Sequence, residues 1–306
     1  MKQMLAGVEP YYATELGAAY LGDALSLLKL VEEHSVDLIV TSPPFALNRS
    51  KKYGNPSPDM YISWFMPYAA EFKRVLKRRG SLVIHLSGGW NKGEPTKSLT
   101  PYYLLTTLCT AYGFKLAQDF YWFNPARLPT PAEWVTVKRI RVKDAVDFIW
   151  WLSPSTNPKA NNRRILKPYS ESMQELLKKG YKAGTRPSEH VISTKFRRNN
   201  GGAIPPNIIF TANTVSNDSY LKACRAHKLT PNPARFPEEI PEFFIRFLSR
   251  KGDLILDPFG GSNTTGAVAE KLGRRWLCFE LVEEYLIGSM FRFKQDQILK
   301  KTISVS

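Results

Sequence analysis

Short apolar runs alternate with amphipathic stretches at both ends of this chain, and that rhythm limits the possible folds more than any other feature. Near the start, residues 18–21 read as a strand ending at Gly22-Asp23. Residues 24–33 place Leu25, Leu28 and Val31 at helical spacing, and residues 36–40 form a buried strand. Two prolines in Thr41-Ser42-Pro43-Pro44-Phe45 close that strand, since neither sheet nor helix runs through them. A helix over about 60–77 and a strand at 81–86 follow. Near the other end, residues 237–249 put Ile240, Phe243, Phe244 and Phe247 on one helical face. A strand at 253–256, a glycine-bearing turn at 257–263, a helix to about 272, a strand at 275–279 and a helix at 283–294 complete the series. Strands followed by helices make parallel sheet, which is covered on both faces. Neither end is large enough to build that alone. The expected fold is therefore α/β, one Rossmann-like sheet with helices on both faces, interrupted by an insertion.

The middle lacks the rhythm. Aromatic runs at 120–123, 134–137 and 147–151 read as short, half-buried strands, and residues 195–206 read as loop. Charge concentrates in this part of the chain. The 306 residues hold 43 Lys and Arg against 27 Asp and Glu, a formal charge of +16. Residues 151–235 hold fifteen basic residues against four acidic ones. A polyanion such as nucleic acid is the partner that fits, because neutralised phosphates release counterions. With 43% hydrophobic and 23% charged residues, the composition is that of a globular chain. No apolar run approaches the roughly 18 residues of a membrane span, and residues 1–10 lack the apolar core of a secretory signal. Cys109, Cys224 and Cys278 are scattered, with neither disulfide nor zinc spacing, and no metal is expected. These features together place the chain in the cytoplasm.

Two motifs carry chemistry. Asp257-Pro258-Phe259-Gly260-Gly261-Ser262 follows a strand and opens a helix, and Glu280 ends the next strand. Glycines permit close backbone approach, a helix start offers free N–H groups, and a carboxylate after the second strand suits ribose hydroxyls. The spacing is neither a dinucleotide fingerprint nor a P-loop. The alternative is a structural turn capped by Ser262 or Asn263. The second motif, Ser42-Pro43-Pro44-Phe45, is a rigid turn that presents a hydroxyl, carbonyls and an aromatic face. Its alternative is an ordinary proline turn. His34, His190 and His227 lie in polar stretches and read as surface residues.

Together, and in this order, the motifs resemble those of the permuted S-adenosylmethionine-dependent DNA amino-methyltransferases. The likeness runs from Tyr12 to Phe293 and takes in segments 120–125, 139–146, 199–207 and 233–246. It implies a methyltransferase sheet with a catalytic half at 1–115, a target-recognition region at about 116–230 and a cofactor-binding half at 231–306. It implies S-adenosyl-L-methionine as cofactor, held by Asp23, Phe236, Asp257, Pro258, Phe259, Gly260, Gly261, Ser262 and Glu280. It implies a target base held by Ser42, Pro43, Pro44 and Phe45. Serine at the head of the tetrad favours cytosine N4. The alternatives are adenine N6 and a catalytically silent DNA-binding module. The likeness is greatest to an N4-cytosine enzyme acting on CAGCTG, which makes that the expected target. Double-stranded DNA is the expected partner, with Arg127, Arg139, Arg141, Arg197 and Arg198 as DNA contacts. A restriction endonuclease acting on the same site without a stable complex is the expected counterpart. His85 stands where the resembled enzyme has an acidic residue; a proton acceptor and a structural histidine are both open readings.

Overall fold

The structure is a computed structural model. It describes residues 5–46, 55–180, 184–185, 187, 189, 191–192, 198–213, 218–235 and 237–301. The expected contacts Phe236 and Arg197, and the expected surface residue His190, lie outside the described residues. The chain divides into two compact units, Met1–Lys159 with Asn207–Ser306, and Ala160–Pro206.

In the first unit the two ends share one sheet, as their lengths require. Its core is parallel. β2 (Gly17–Leu21) pairs with β11 (Arg275–Glu280), β11 with β10 (Leu254–Asp257), β10 with β3 (Val36–Thr41), and β3 with β4 (Leu76–Leu86). The cofactor-motif strand therefore lies directly beside the tetrad strand. The sheet then turns antiparallel through β6 (Val146–Ser153) and β5 (Lys115–Phe123), with β9 (Ile208–Phe210) at that edge. At the other edge stand β1 (Tyr12–Ala13) and β12 (Lys300–Lys301). Strands of the expected recognition region thus belong to the main sheet, and the separate unit, 160–206, is narrower than that region.

Both faces of the sheet are covered. Side chains alternate across a strand, and Trp150 and Trp151 show the result. Trp150 joins the core formed by Phe65 and Phe72 of α2 (Tyr61–Val75) and Leu104 and Leu108 of α3 (Thr100–Thr110). Trp151 meets Phe247 of α6 (Glu239–Leu248) edge-on at 5.1 Å. Phe120 on β5 likewise meets Phe244 of α6 at 5.1 Å. The apolar stripe foreseen at 237–249 is what α6 buries.

Several elements differ from expectation. The first helix, α1, covers only Ala24–Leu28. The last splits into α8 (Glu283–Ser289) and a 3-10 turn at Met290–Arg292. The aromatic run at 134–137 is no strand; Glu133–Val137 is a single π-helical turn. Its polar groups close locally. Thr136 Oγ1 donates to the Ala132 carbonyl, and the Trp134 carbonyl accepts from the amides of Ile140 and Arg141. Strand propensity needs a partner strand to be realised, and this run has no neighbour in the sheet order.

The Ala160–Pro206 unit contains a 3-10 turn at Asn162–Arg164, α4 (Glu171–Lys179) and a bridge between Lys167 and Ala203. A small hairpin joins β7 (Gly184–Thr185) and β8 (Val191–Ile192). Ser170 caps α4 by accepting from the Met173 amide at 3.3 Å. Among the described residues, no helix is long and apolar enough to cross a membrane.

One glycine marks how tightly the sheet is packed. A Cβ on Gly17 would lie 2.2 Å from the ring of the buried Trp276. Gly17→Ala is expected to destabilise the protein by about 1–3 kcal/mol through overpacking, read as a lower urea midpoint at unchanged slope.

Candidate functional site

At the carboxyl ends of the parallel strands the two motifs open into one cavity of about 230 Å³. Its walls include Asp23, the tetrad Ser42–Phe45, Pro258, Phe259, Gly261 and Glu280. Open α/β sheets place ligands at this edge. Trp64 and Tyr68 of α2, Asn232, Ala234, Phe279, Leu281 and Tyr285 also line it. Trp64, Tyr68, Asn232 and Tyr285 were not singled out from the sequence, because each reaches the cavity from an element without a motif. Phe259 packs against Tyr68 and Trp64 with ring centroids 5.2 and 5.9 Å away.

Asp257 does not line the cavity; it ties the cavity together. Its carboxylate is buried and accepts from Thr41 Oγ1 at 2.8 Å, Thr265 Oγ1 at 2.7 Å and the Phe259 amide at 3.2 Å. Thr41 precedes the tetrad, and Thr265 lies in the first turn of α7 (Thr264–Lys271). One carboxylate thus joins two motifs that lie 216 residues apart. Burial pushes its pKa up to about 6, against the opposing pull of these donors.

Glu280 ends β11 with its side chain largely buried. It accepts from the Gly261 amide at 2.7 Å and the Val282 amide at 2.8 Å, while burial raises its pKa. A carboxylate has about four lone-pair positions, so capacity remains on the cavity side. Asp23 is exposed at the rim, where it caps α1 by accepting from the Ser26 amide and hydroxyl, each at 2.9 Å.

The glycines are required by packing within the protein as well. A Cβ on Gly260 would lie 2.0 Å from Cys278 Sγ, and one on Gly261 would lie 2.0 Å from Asn232 Nδ2. Gly261 also has a positive φ of 53°. The turn is pressed against β11 and the Asn232 segment, and only hydrogen fits. Gly260 and Ser262 stand behind the wall. The Ser262 carbonyl and hydroxyl accept from Arg292 at 2.7 and 3.1 Å, and the Arg292 guanidinium lies 4.6 Å from the Tyr220 ring. Asn263, with a φ of 51°, is the helix cap; its Oδ1 accepts from the Gly266 amide at 3.0 Å.

On the tetrad side, Ser42 Oγ lies 2.9 Å from His85 Nδ1. His85 Nε2 lies 3.4 Å from Asp147 Oδ2. The Arg127 guanidinium grips the Asp147 carboxylate through both terminal nitrogens, one at 2.8 Å. Burial alone would raise the Asp147 carboxyl, but His85 and Arg127 outweigh it and hold it down at about 2. Phe45 meets the His85 ring edge-on at 5.6 Å.

Of the arginines expected on DNA, Arg127 is committed to this buried carboxylate. Arg139 and Arg141 are exposed after the π-helical turn, with Arg141 Nε donating to the Pro95 carbonyl at 3.1 Å. Arg198 is exposed in the Ala160–Pro206 unit. His34 is exposed as expected, with Nδ1 3.0 Å from the Leu76 carbonyl, and His227 stacks on Phe291 at 4.8 Å.

The raised pKa of Asp257 has a pH consequence. Its folded pKa lies above the unfolded value, so the folded state holds the extra proton between about pH 4 and 6 and loses stability as pH rises through that window. Asp257→Asn removes the charge while leaving an acceptor for Thr41 and Phe259. Relative to wild type it is expected to gain about 2 kcal/mol at pH 7.5, with the gain vanishing near pH 4. Paired urea titrations at the two pH values measure this difference.

Comparison with known proteins agrees with this geometry. A family model described as DNA methylase matches residues 36–290. The type II methyltransferase M.PvuII of Proteus hauseri is 45% identical over 97% of this chain and 90% of its own length. The type II methyltransferase M.BamHI of Bacillus amyloliquefaciens is 29% identical over 90% of this chain and 56% of its own. Among solved structures, PvuII DNA methyltransferase (cytosine-N4-specific) superposes with a TM-score of 0.77 at 41% identity, covering 97% of this chain and 92% of that one. By fold, by family model and by this extent of identity, the chain belongs to the DNA methylase family.

Proposed function

We propose that this chain transfers a methyl group from S-adenosylmethionine to N4 of cytosine in double-stranded DNA. The observation that carries the reading is the single cavity lined both by the tetrad Ser42–Phe45 and by the turn and carboxylate of the second motif. The similarity to a cytosine-N4-specific enzyme supports the choice of base.

The donor set fits the cofactor. Glu280 offers carboxylate lone pairs to ribose hydroxyls, and Asp23 adds a second acceptor at the rim. Phe259, Tyr68 and Trp64 give aromatic faces suited to a cationic sulfonium. When bound, S-adenosylmethionine supplies an electrophilic methyl group. Among the other expected contacts, Gly260, Ser262 and Asp257 support the wall from behind.

The chain's own part is to hold and orient the base. The N4 lone pair of cytosine is delocalised into the ring. Hydrogen bonds from the amino group to Ser42 Oγ and the Pro43 carbonyl favour a tetrahedral nitrogen and aim its lone pair, and Phe45 stacks on the ring. Placing the two reactants together supplies much of the acceleration. The amino group is paired inside duplex DNA, so the cytosine leaves the stack to reach the tetrad. No covalent adduct is needed, which agrees with the burial of Cys224 and Cys278.

Recognition is assigned to residues 116–230. Arg139, Arg141 and Arg198, with the other basic residues of 160–206, supply positive charge to neutralise phosphates. The target proposed from the family likeness is CAGCTG, modified at the inner cytosine, with a restriction endonuclease of the same specificity as counterpart in the cytoplasm.

The test is to methylate mixed DNA, digest it to nucleosides and identify the product. N4-methylcytosine is the expected result; N6-methyladenine, or no transfer despite cofactor binding, supports one of the two alternative readings. Methylated plasmid should resist a nuclease that cuts CAGCTG. Ser42→Ala is expected to lower transfer by about 10²-fold or more while cofactor affinity in calorimetry survives. Glu280→Gln is expected to weaken cofactor binding by about 1.5–3 kcal/mol, the worth of a charged hydrogen bond.

A further inference from the structure

The tetrad serine does not act alone. Ser42 Oγ, the His85 ring, the Asp147 carboxylate and the Arg127 guanidinium form one continuous line, contributed by the end of β3, β4, β6 and the loop after β5. His85 and Asp147 are both buried, with side-chain exposures of 8% and 1%. We infer that His85 is a positioning residue for methyl transfer, held by Asp147 and Arg127 in the tautomer whose Nδ1 accepts the Ser42 hydroxyl proton.

The tautomer follows from the charges. Arg127 offers two N–H donors to Asp147, which keeps that carboxylate ionised. An ionised carboxylate only accepts, so the ring nitrogen facing it, Nε2, carries hydrogen. A neutral imidazole has one N–H, which leaves Nδ1 bare toward Ser42 Oγ at 2.9 Å. The hydroxyl then donates to Nδ1, and its lone pairs are free for the amino group of the target base. Without this line the hydroxyl could turn and donate elsewhere, and Ser42 would lose its preference for accepting.

Around the ring, Phe45 and Trp122 supply apolar faces at 5.6 and 5.3 Å. The charged side chains recorded on this line are Asp147 and Arg127, and Lys143 Nζ donates to the Arg127 carbonyl at 3.2 Å.

The proton balance closes through the same atoms, given the amino-group reading above, on which this inference rests. A methylated exocyclic nitrogen carries one proton too many. That proton passes to Ser42 Oγ as the hydroxyl proton passes to His85 Nδ1. The products are a neutral methylamino group, a neutral serine and an imidazolium beside Asp147, which returns its proton to solvent.

Three measurements test the inference. In apo protein labelled with nitrogen-15 and carbon-13, the His85 ring, assigned by through-bond correlation to its own backbone, should show hydrogen on Nε2 and none on Nδ1. His85→Phe should lower kcat by about 10²-fold while calorimetric cofactor affinity is unchanged. His85→Gln keeps an acceptor for Ser42 but cannot take up a proton; its kcat should lie between those of His85→Phe and wild type. A hydrogen on Nδ1 in the neutral ring, wild-type kcat in His85→Phe, or a His85→Gln kcat no higher than that of His85→Phe would overturn it. The tautomer is read on the protein alone, so it stands if the variants fail to fold. The modified nucleoside made by wild type tests the choice of base separately.

Discussion

A buried carboxylate at the junction of two neighbouring strands holds the site together. Asp257 is the last residue of β10, and its oxygens take hydrogen bonds from Thr41 at the end of β3, from Thr265 at the start of α7 and from the Phe259 amide of the intervening turn. Each bond fixes a piece that would otherwise be a free strand end or loop. An unpaired buried carboxylate costs several kcal/mol, so these donors are required rather than optional. The raised pKa shows that compensation is incomplete. Part of the stability of the fold is thus given up for a fixed relation between tetrad and turn.

The rest of the cavity depends on that relation. Once the turn after β10 is fixed, Gly260 and Gly261 press against Cys278 and Asn232, and Glu280 receives the Gly261 amide. Arg292 then closes the turn from behind by donating to Ser262. On the other side, the change from parallel to antiparallel pairing at β4 and β6 brings Asp147 behind His85, and so behind Ser42. The two halves of the site rest on different kinds of support: packed glycines and backbone amides on the cofactor side, and a line of charged and polar side chains on the base side.

Much of this was legible in the sequence, for physical reasons that can be named. Buried parallel strands are continuous apolar runs, so β3, β10 and β11 stood out within a residue or so of their ends. The stripe of Ile240, Phe244 and Phe247 declared α6, because burying one helical face demands that spacing. Both motifs sit at strand ends, where special residues interrupt a regular pattern. The reading failed where local preference and tertiary setting disagreed. The run Trp134-Val135-Thr136-Val137 has strand propensity but no strand beside it, and it closes on itself as a π-helical turn. Nor does anything local to Arg127 indicate that its guanidinium reaches Asp147, twenty residues on.

The sequence by itself determined the class of fold, the two motifs and the excess of basic residues, since periodicity, turn chemistry and charge are properties of the chain in order. Only the tertiary structure decided which residues meet. Strand pairing set Thr41 against Asp257, and antiparallel crossing set His85 against Asp147. Close packing against Cys278 and Asn232 set a need for Gly260 and Gly261. These are contacts between distant positions, and a linear pattern holds no record of distance.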